Sequence, residues 1–263
     1  MRITNGFRVC VFECNVQVAA DSPDTYAILE RYVFPSLPRL NGTTVKPDIS
    51  IHLTQGSNQF ELLADDAVVA SASTAIDLVP ELIRILDDAV VGSLKTFRAI
   101  HAGAVLLGER ALLLPGKTHA GKSSLVAELL RRGAIYFSDE YAVIDSDGHV
   151  HAYPRPLLLR NGSAEQSPVL AEECCALTGD APATIGWIVS LEYVPGGNWS
   201  VVPISQSEAV LMLLRNTPHF FSESPKMVAL FQRAVAKARC YTGTRAEAAD
   251  AVSQILRVIG DAA

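Results

Sequence analysis

The chain has 263 residues, 49% of them hydrophobic and 19% charged, with a formal net charge of -6. That length buries a sizeable core in one large domain or two, and the composition excludes a disordered polymer. The acidic balance provides no clustered basic face for nucleic acid, and no apolar run approaches the ~18 residues of a membrane span. Met1 to Gly6 carry no signal-like apolar core, so the expectation is a cytoplasmic protein with no nucleic-acid or membrane partner.

Cys10, Cys14, Cys174, Cys175 and Cys240 are an odd set, and their spacings suit neither a disulfide framework nor a zinc knuckle. Val9 to Ala19 contains alternating apolar positions and predicts an opening strand. Ile49 to Leu53 alternates more cleanly, with His52 on its solvent side. Phe60–Leu63 and Val68–Ala70 flank Asp65-Asp66, a hairpin turn signal. Asp77 is placed to cap a helix whose apolar face is Leu78, Leu82, Ile85, Leu86 and Ala89; Pro80 falls in its first turn, where proline is tolerated. Residues 1–95 thus read as a small N-terminal α+β region, an antiparallel sheet plus a helix, with no chemical constellation.

The centre of the chain is more specific. His101 to Leu107 and Ala111 to Leu114 are apolar runs joined by Gly108-Glu109-Arg110, a turn short enough to make them antiparallel neighbours. The second run feeds Gly116-Lys117-Thr118-His119-Ala120-Gly121-Lys122-Ser123, which reads G-x-x-x-x-G-K-S. A strand opening through such a loop into a helix aims backbone N–H groups and the positive end of the helix at one point, a cradle for phosphate. Lys122 would reach the β- and γ-phosphates of ATP, Ser123 would hold Mg²⁺, and Ser124 completes the nucleotide-binding stretch. The alternative is a glycine-rich turn with no ligand.

The helix carries Leu125, Val126, Leu129 and Leu130 inward and ends at Gly133, a residue suited to its C′ position. Ala134 to Glu140 is an apolar strand ending in Asp139 and Glu140. A carboxylate at a strand end beside a phosphate loop is where metal is held, and a second can take a hydroxyl proton. Adjacent side chains of a strand point to opposite faces, so both roles require the strand to fray there. The alternative is a polar strand end meeting solvent.

Tyr141–Ile144 and Val150–Tyr153 flank an Asp-Gly turn and predict a hairpin, with His149 and His151 as hairpin residues. Hairpins on both sides of the βαβ unit imply a mixed sheet. Arg155 and Arg160 in the following extended segment are candidate phosphate or substrate contacts, or merely exposed arginines. Residues 161–184 read as a long loop, Ile185–Tyr193 as a strand and Trp199–Ile204 as its return. Ser205-x-x-Glu208, Ser224-Pro225 and Thr244-x-x-Glu247 open three amphipathic C-terminal helices.

His101-Ala102-Gly103, the Gly116–Ser123 loop and Asp139-Glu140 together resemble the catalytic core of bacterial HPr kinase/phosphorylase and its related paralogues and, more distantly, phosphoenolpyruvate carboxykinase. Residues 101 to 140 carry the resemblance in one register; the last hundred match only in general pattern, and residues 1–95 do not resemble that family's N-terminal domain. The resemblance implies an α/β fold: a mixed-sheet P-loop core in an ATP-binding catalytic domain, 96–263, beside the small N-terminal α+β region and with C-terminal helices. It also implies a homo-oligomer and a serine kinase acting on a peptide or small protein with ATP and Mg²⁺. His101 matches the family's active-site histidine and Glu140 its general base, leaving Asp139 to support metal or hydroxyl. The chain departs from the family at His119, where glycine is usual, at Ser124, where glutamate is usual, and at Glu140, where aspartate is usual. Kinase chemistry survives these departures better than phosphorylase activity or HPr as substrate. Similar proteins accompany ribosomally made peptide pathways, including lasso peptides. Two other readings stay open: a nucleotide-binding regulatory or assembly partner with weak catalysis, and a kinase of a small metabolite.

Overall fold

The computed structural model describes residues 5–40, 45–116, 120–160, 165–218 and 224–260. The fold is mixed α/β, in two compact units: Met1–Lys95 with Pro154–Leu170, and Thr96–Tyr153 with Ala171–Ala263.

The first unit opens with β1 (Asn5–Val11) and β2 (Cys14–Ala20), an antiparallel hairpin where one strand was expected. Phe12 turns the chain at φ 53°, with no glycine or asparagine to signal it. Helix α1 (Pro23–Tyr32), which the sequence reading passed over, is capped by a reciprocal Ser22–Thr25 box and has proline in its first turn. It is the crossover that brings β3 (Ile49–Gln55) parallel to β2. The expected all-antiparallel sheet is therefore a mixed one. The hairpin of β4 (Phe60–Ala64) and β5 (Ala67–Ala72) follows as expected, with Asp65 and Asp66 both at positive φ. The five strands lie in the order β1-β2-β3-β4-β5. His52 is half-buried, on the more exposed face of β3 with Ser50 and Thr54.

Helix α2 (Val79–Ser93) begins one residue later than Asp77 would cap it, after a short 3₁₀ turn. Asp77 instead accepts a hydrogen bond from the Thr74 hydroxyl at 2.5 Å. The buried face of α2 is Val79, Leu82, Ile83, Leu86 and Val90, so Ile85 and Ala89 lie beside it rather than on it. Asp87 is buried on that same face.

The second unit starts with β6 (Arg98–Leu107) and β7 (Arg110–Pro115), the antiparallel neighbours expected from their short turn. Helix α3 (Lys122–Arg131) follows, closed by Gly133 at φ 88°; the N–H groups of Gly133 and Ala134 donate to Leu130 and Leu129. Then come β8 (Ile135–Ser138), β9 (Tyr141–Ile144) and β10 (Val150–His151), the last two forming the expected hairpin. The chain returns to the first unit for β11 (Leu157–Leu159) and β12 (Ser167–Val169), a small antiparallel pair whose second strand falls within the expected long loop. Leu158 and Leu170 pack there with Tyr32, Val79 and Ile83.

The second unit resumes with β13 (Thr184–Tyr193), β14 (Ser200–Ile204), α4 (Gln206–Arg215), α5 (Ser224–Val235), β15 (Arg239–Arg245) and α6 (Ala248–Gly260). Strand β15 is a correction. Thr244 was expected to open a helix; it lies in a strand inserted between β13 and β14, which are consequently not a hairpin. The sheet runs β10-β9-β6-β7-β13-β15-β14, with β8 also on β6. Strands β7, β13 and β15 are parallel and the rest antiparallel, which is the mixed sheet that the flanking hairpins implied. Helices α4 and α5 share a core with Ile100, Ala102, Ala104, Leu113 and Ile188. Helix α3 packs on β6 and against α6. It comes very close to β6 because residue 103 is glycine: a Cβ there would stand 2.7 Å from Val126 Cγ2.

Among the described residues, no helix is long and apolar enough to cross a membrane. All five cysteines are free thiols.

Candidate functional site

His101 and Gly103 share one face of β6, because alternate strand residues do, and α3 lies over that face at Gly103. The helix starts at Lys122, directly after Gly121, whose left-handed backbone (φ 74°) turns the loop into the first helical turn. Side chains in a first turn lean back toward the helix N-terminus, and Lys122 is only 6% exposed.

Opposite β6, strands β8 and β9 follow one another in a single register: Ser138 faces Ala104 and Tyr141 faces His101. Asp139 and Glu140 fall between them, where the regular strand stops. A bulge at Phe137 precedes the gap. The buried Ser138 hydroxyl accepts from the Glu140 and Tyr141 N–H groups at 3.3 and 3.1 Å, which satisfies backbone that the ladder leaves open. Ala102 N–H still donates to the Glu140 carbonyl at 3.0 Å, so the interruption stays fixed to β6.

This break sends the two carboxylates to different partners. Glu140 places Oε1 2.5 Å from His101 Nε2 and Oε2 3.8 Å from Lys122 Nζ. Its side chain keeps 25% of its surface and that of His101 21%. Asp139 is 1% exposed and accepts a hydrogen bond from the buried Tyr136 hydroxyl at 3.2 Å. The His101 ring also packs on Tyr141, with centroids 4.9 Å apart. A carboxylate held between an imidazole and an ammonium, and still open to solvent, can accept a proton from an incoming group while its neighbours hold negative charge.

The structure thus brings together His101, Lys122 and Glu140, with Asp139 adjoining in the chain and Ser123 half-buried and Ser124 exposed on the first turn of α3. Gly116, Ala120 and Gly121 are described at the two ends of the loop; Lys117, Thr118 and His119 lie outside the described residues. The two candidate arginines belong to the first unit. Arg155, a candidate phosphate contact or exposed arginine, is not exposed. It is buried, with Nε 3.1 Å from Asp87 Oδ2, a close ion pair whose alignment is not that of a hydrogen bond. Arg160 is exposed just after β11.

One side chain at the loop was missed. Arg245, at the end of β15, donates from Nη2 to the carbonyls of Ala120 and Gly121, both at 3.1 Å. The only signal for it was β-propensity, in the Tyr-Thr-Gly-Thr run of a strand with little apolar alternation. Compared with known proteins, the chain matches no family model and no curated sequence.

Proposed function

We propose that the chain is an ATP-dependent kinase that transfers the γ-phosphoryl group to a serine hydroxyl of a peptide or small protein, in the manner of the HPr-kinase-like core its central residues resemble. The observation that carries this reading is Glu140 held between His101 at 2.5 Å and Lys122 at 3.8 Å, beside a loop of sequence G-x-x-x-x-G-K-S. Glu140 takes the serine proton as the serine oxygen bonds to the γ-phosphorus; the bond to the bridging oxygen breaks and ADP leaves. Lys122 moves its charge to the phosphates, and His101 orients Glu140 and steadies the incoming group. The oxygen donors of Ser123 and Asp139 suit Mg²⁺, which would neutralise phosphate charge there.

Lys122→Ala tests the reading. Incubated with labelled ATP, Mg²⁺ and a pool of serine-containing peptides, the wild-type chain labels peptide, and the variant loses transfer while remaining folded. Undiminished transfer by the variant rejects the mechanism. Label on a small molecule instead of peptide points to a metabolite kinase, and nucleotide retained unchanged points to a regulatory or assembly role.

A further inference from the structure

Arg245 has no part in the chemistry above, yet it is among the most buried charges of the second unit, at 3% exposure. Strands β7, β13 and β15 are parallel, so Arg245 at the end of β15 stands at the same sheet end as the loop leaving β7. Besides the two loop carbonyls, it donates from Nη1 to the Ala246 carbonyl at 2.7 Å. Tyr193, its register partner on β13, sets its ring centroid 5.0 Å from the guanidinium carbon. Among the described residues no carboxylate lies within ion-pair distance of it, and Nε has no hydrogen-bond partner. Burial pushes the guanidinium below its ordinary value, though it remains charged. A buried cation answered by carbonyl dipoles, an aromatic ring and the more distant charge of Glu247 is still costly enough to lower its pKa, so its position calls for a reason beyond packing.

That reason lies in peptide geometry. In a trans peptide the C=O and N–H of one unit point in opposite directions. Ala120 O shares its unit with Gly121 N–H, and Gly121 O shares its unit with Lys122 N–H. Carbonyls drawn back onto Arg245 therefore turn those N–H groups away from the guanidinium. A left-handed Gly121 followed by right-handed helical residues is also the alternation that makes a concave anion nest.

We infer that Arg245 is a positioning residue for the nucleotide site: it holds the Ala120 and Gly121 carbonyls from behind so that the Gly121 and Lys122 N–H groups converge on the phosphate chain of a nucleoside triphosphate. This rests on the nucleotide-binding part of the function proposed above. It gives residue 121 two reasons to be glycine, since φ is 74° and a Cβ would stand 2.1 Å from Arg245 Nη2.

The test is calorimetric binding of Mg²⁺-ATP and of inorganic tripolyphosphate to the full chain, its Arg245→Met and Arg245→Lys variants, and Gly121→Ala. Losing two charge-assisted hydrogen bonds to the loop predicts roughly ten- to a hundredfold weaker binding of both ligands by Arg245→Met, with partial recovery in Arg245→Lys. Gly121→Ala, which pushes the loop against the guanidinium, should weaken both in the same way and serves if Arg245→Met does not fold. Unchanged tripolyphosphate affinity in the variants overturns the inference while leaving the nucleotide site intact. A loss of thermal stability without loss of affinity also overturns it, assigning Arg245 to packing alone. Failure of the wild-type chain to bind either ligand removes the nucleotide site and the inference together.

Discussion

Each unit holds a cluster of opposite charges, and the two clusters differ in what they leave open. In the first unit, Arg155 and Asp87 face each other at 3.1 Å with side chains 3% and 7% exposed. In the second, Glu140 divides its two oxygens between His101 and Lys122, and both His101 and Glu140 keep a fifth or more of their surface. The first pair is closed: each charge answers the other, and almost no surface remains for a ligand. The second is open, with one carboxylate between two partners and a path to solvent. Buried charge by itself therefore says little about chemistry. Removing one member of a closed pair strands the other, whereas an open cluster can exchange its partners for a substrate.

If the open cluster is chemical, its residues should govern turnover and barely affect folding. Glu140→Gln keeps the side-chain volume and a contact to His101 but removes the base. On the proposed chemistry, phosphotransfer should fall by about 10²- to 10⁴-fold while the unfolding midpoint stays near that of the wild type. Wild-type turnover would place Glu140 with the structural charges. The closed pair should behave oppositely. Asp87→Ala removes the carboxylate that faces the buried Arg155, an expected loss of about 3–5 kcal/mol in urea unfolding. Asp87→Ala combined with Arg155→Met should recover most of it. A cost under about 1 kcal/mol would put the pair in the range of surface salt bridges and contradict the closed description.

The same contrast explains what could be read from the residues alone. The run from β6 through α3 to β8 was legible because local rules agree there: apolar strands, a short turn, glycines at the loop, and a helix stopped at Gly133. The burial of Arg155 was not legible because its partner, Asp87, lies nearly seventy residues away on the otherwise apolar face of α2. Nothing local distinguishes it from an exposed arginine. The parallel pairing of β2 with β3 depended on α1, whose cap uses threonine in place of the glutamate or glutamine that marks a capping box. Strand β15 was invisible for a different reason. Four of its seven residues are only half-buried, so it lacks the alternation that betrays a strand, and Arg245 was lost with it.

Asp145 lies between the two extremes and tests whether burial or bonding decides a charge's role. It sits in the turn between β9 and β10, where its Oδ2 is 2.8 Å from His151 Nε2. Its Oδ1 accepts from the N–H groups of Asp147 and His149 at 3.0 and 2.9 Å. Partial burial pushes its pKa up, but these bonds outweigh burial and hold the carboxyl below its usual value. A carboxyl depressed in the folded state adds stability that is fully present above its unfolded pKa of about 3.9 and is lost as pH falls through the lower folded value. Asp145→Asn should therefore cost on the order of 1 kcal/mol at neutral pH, and the difference from wild type should shrink as pH drops below about 4. Urea unfolding of both proteins across that range reads the effect. A difference that persists undiminished in acid would mean that turn geometry, rather than the charge, stabilises this hairpin.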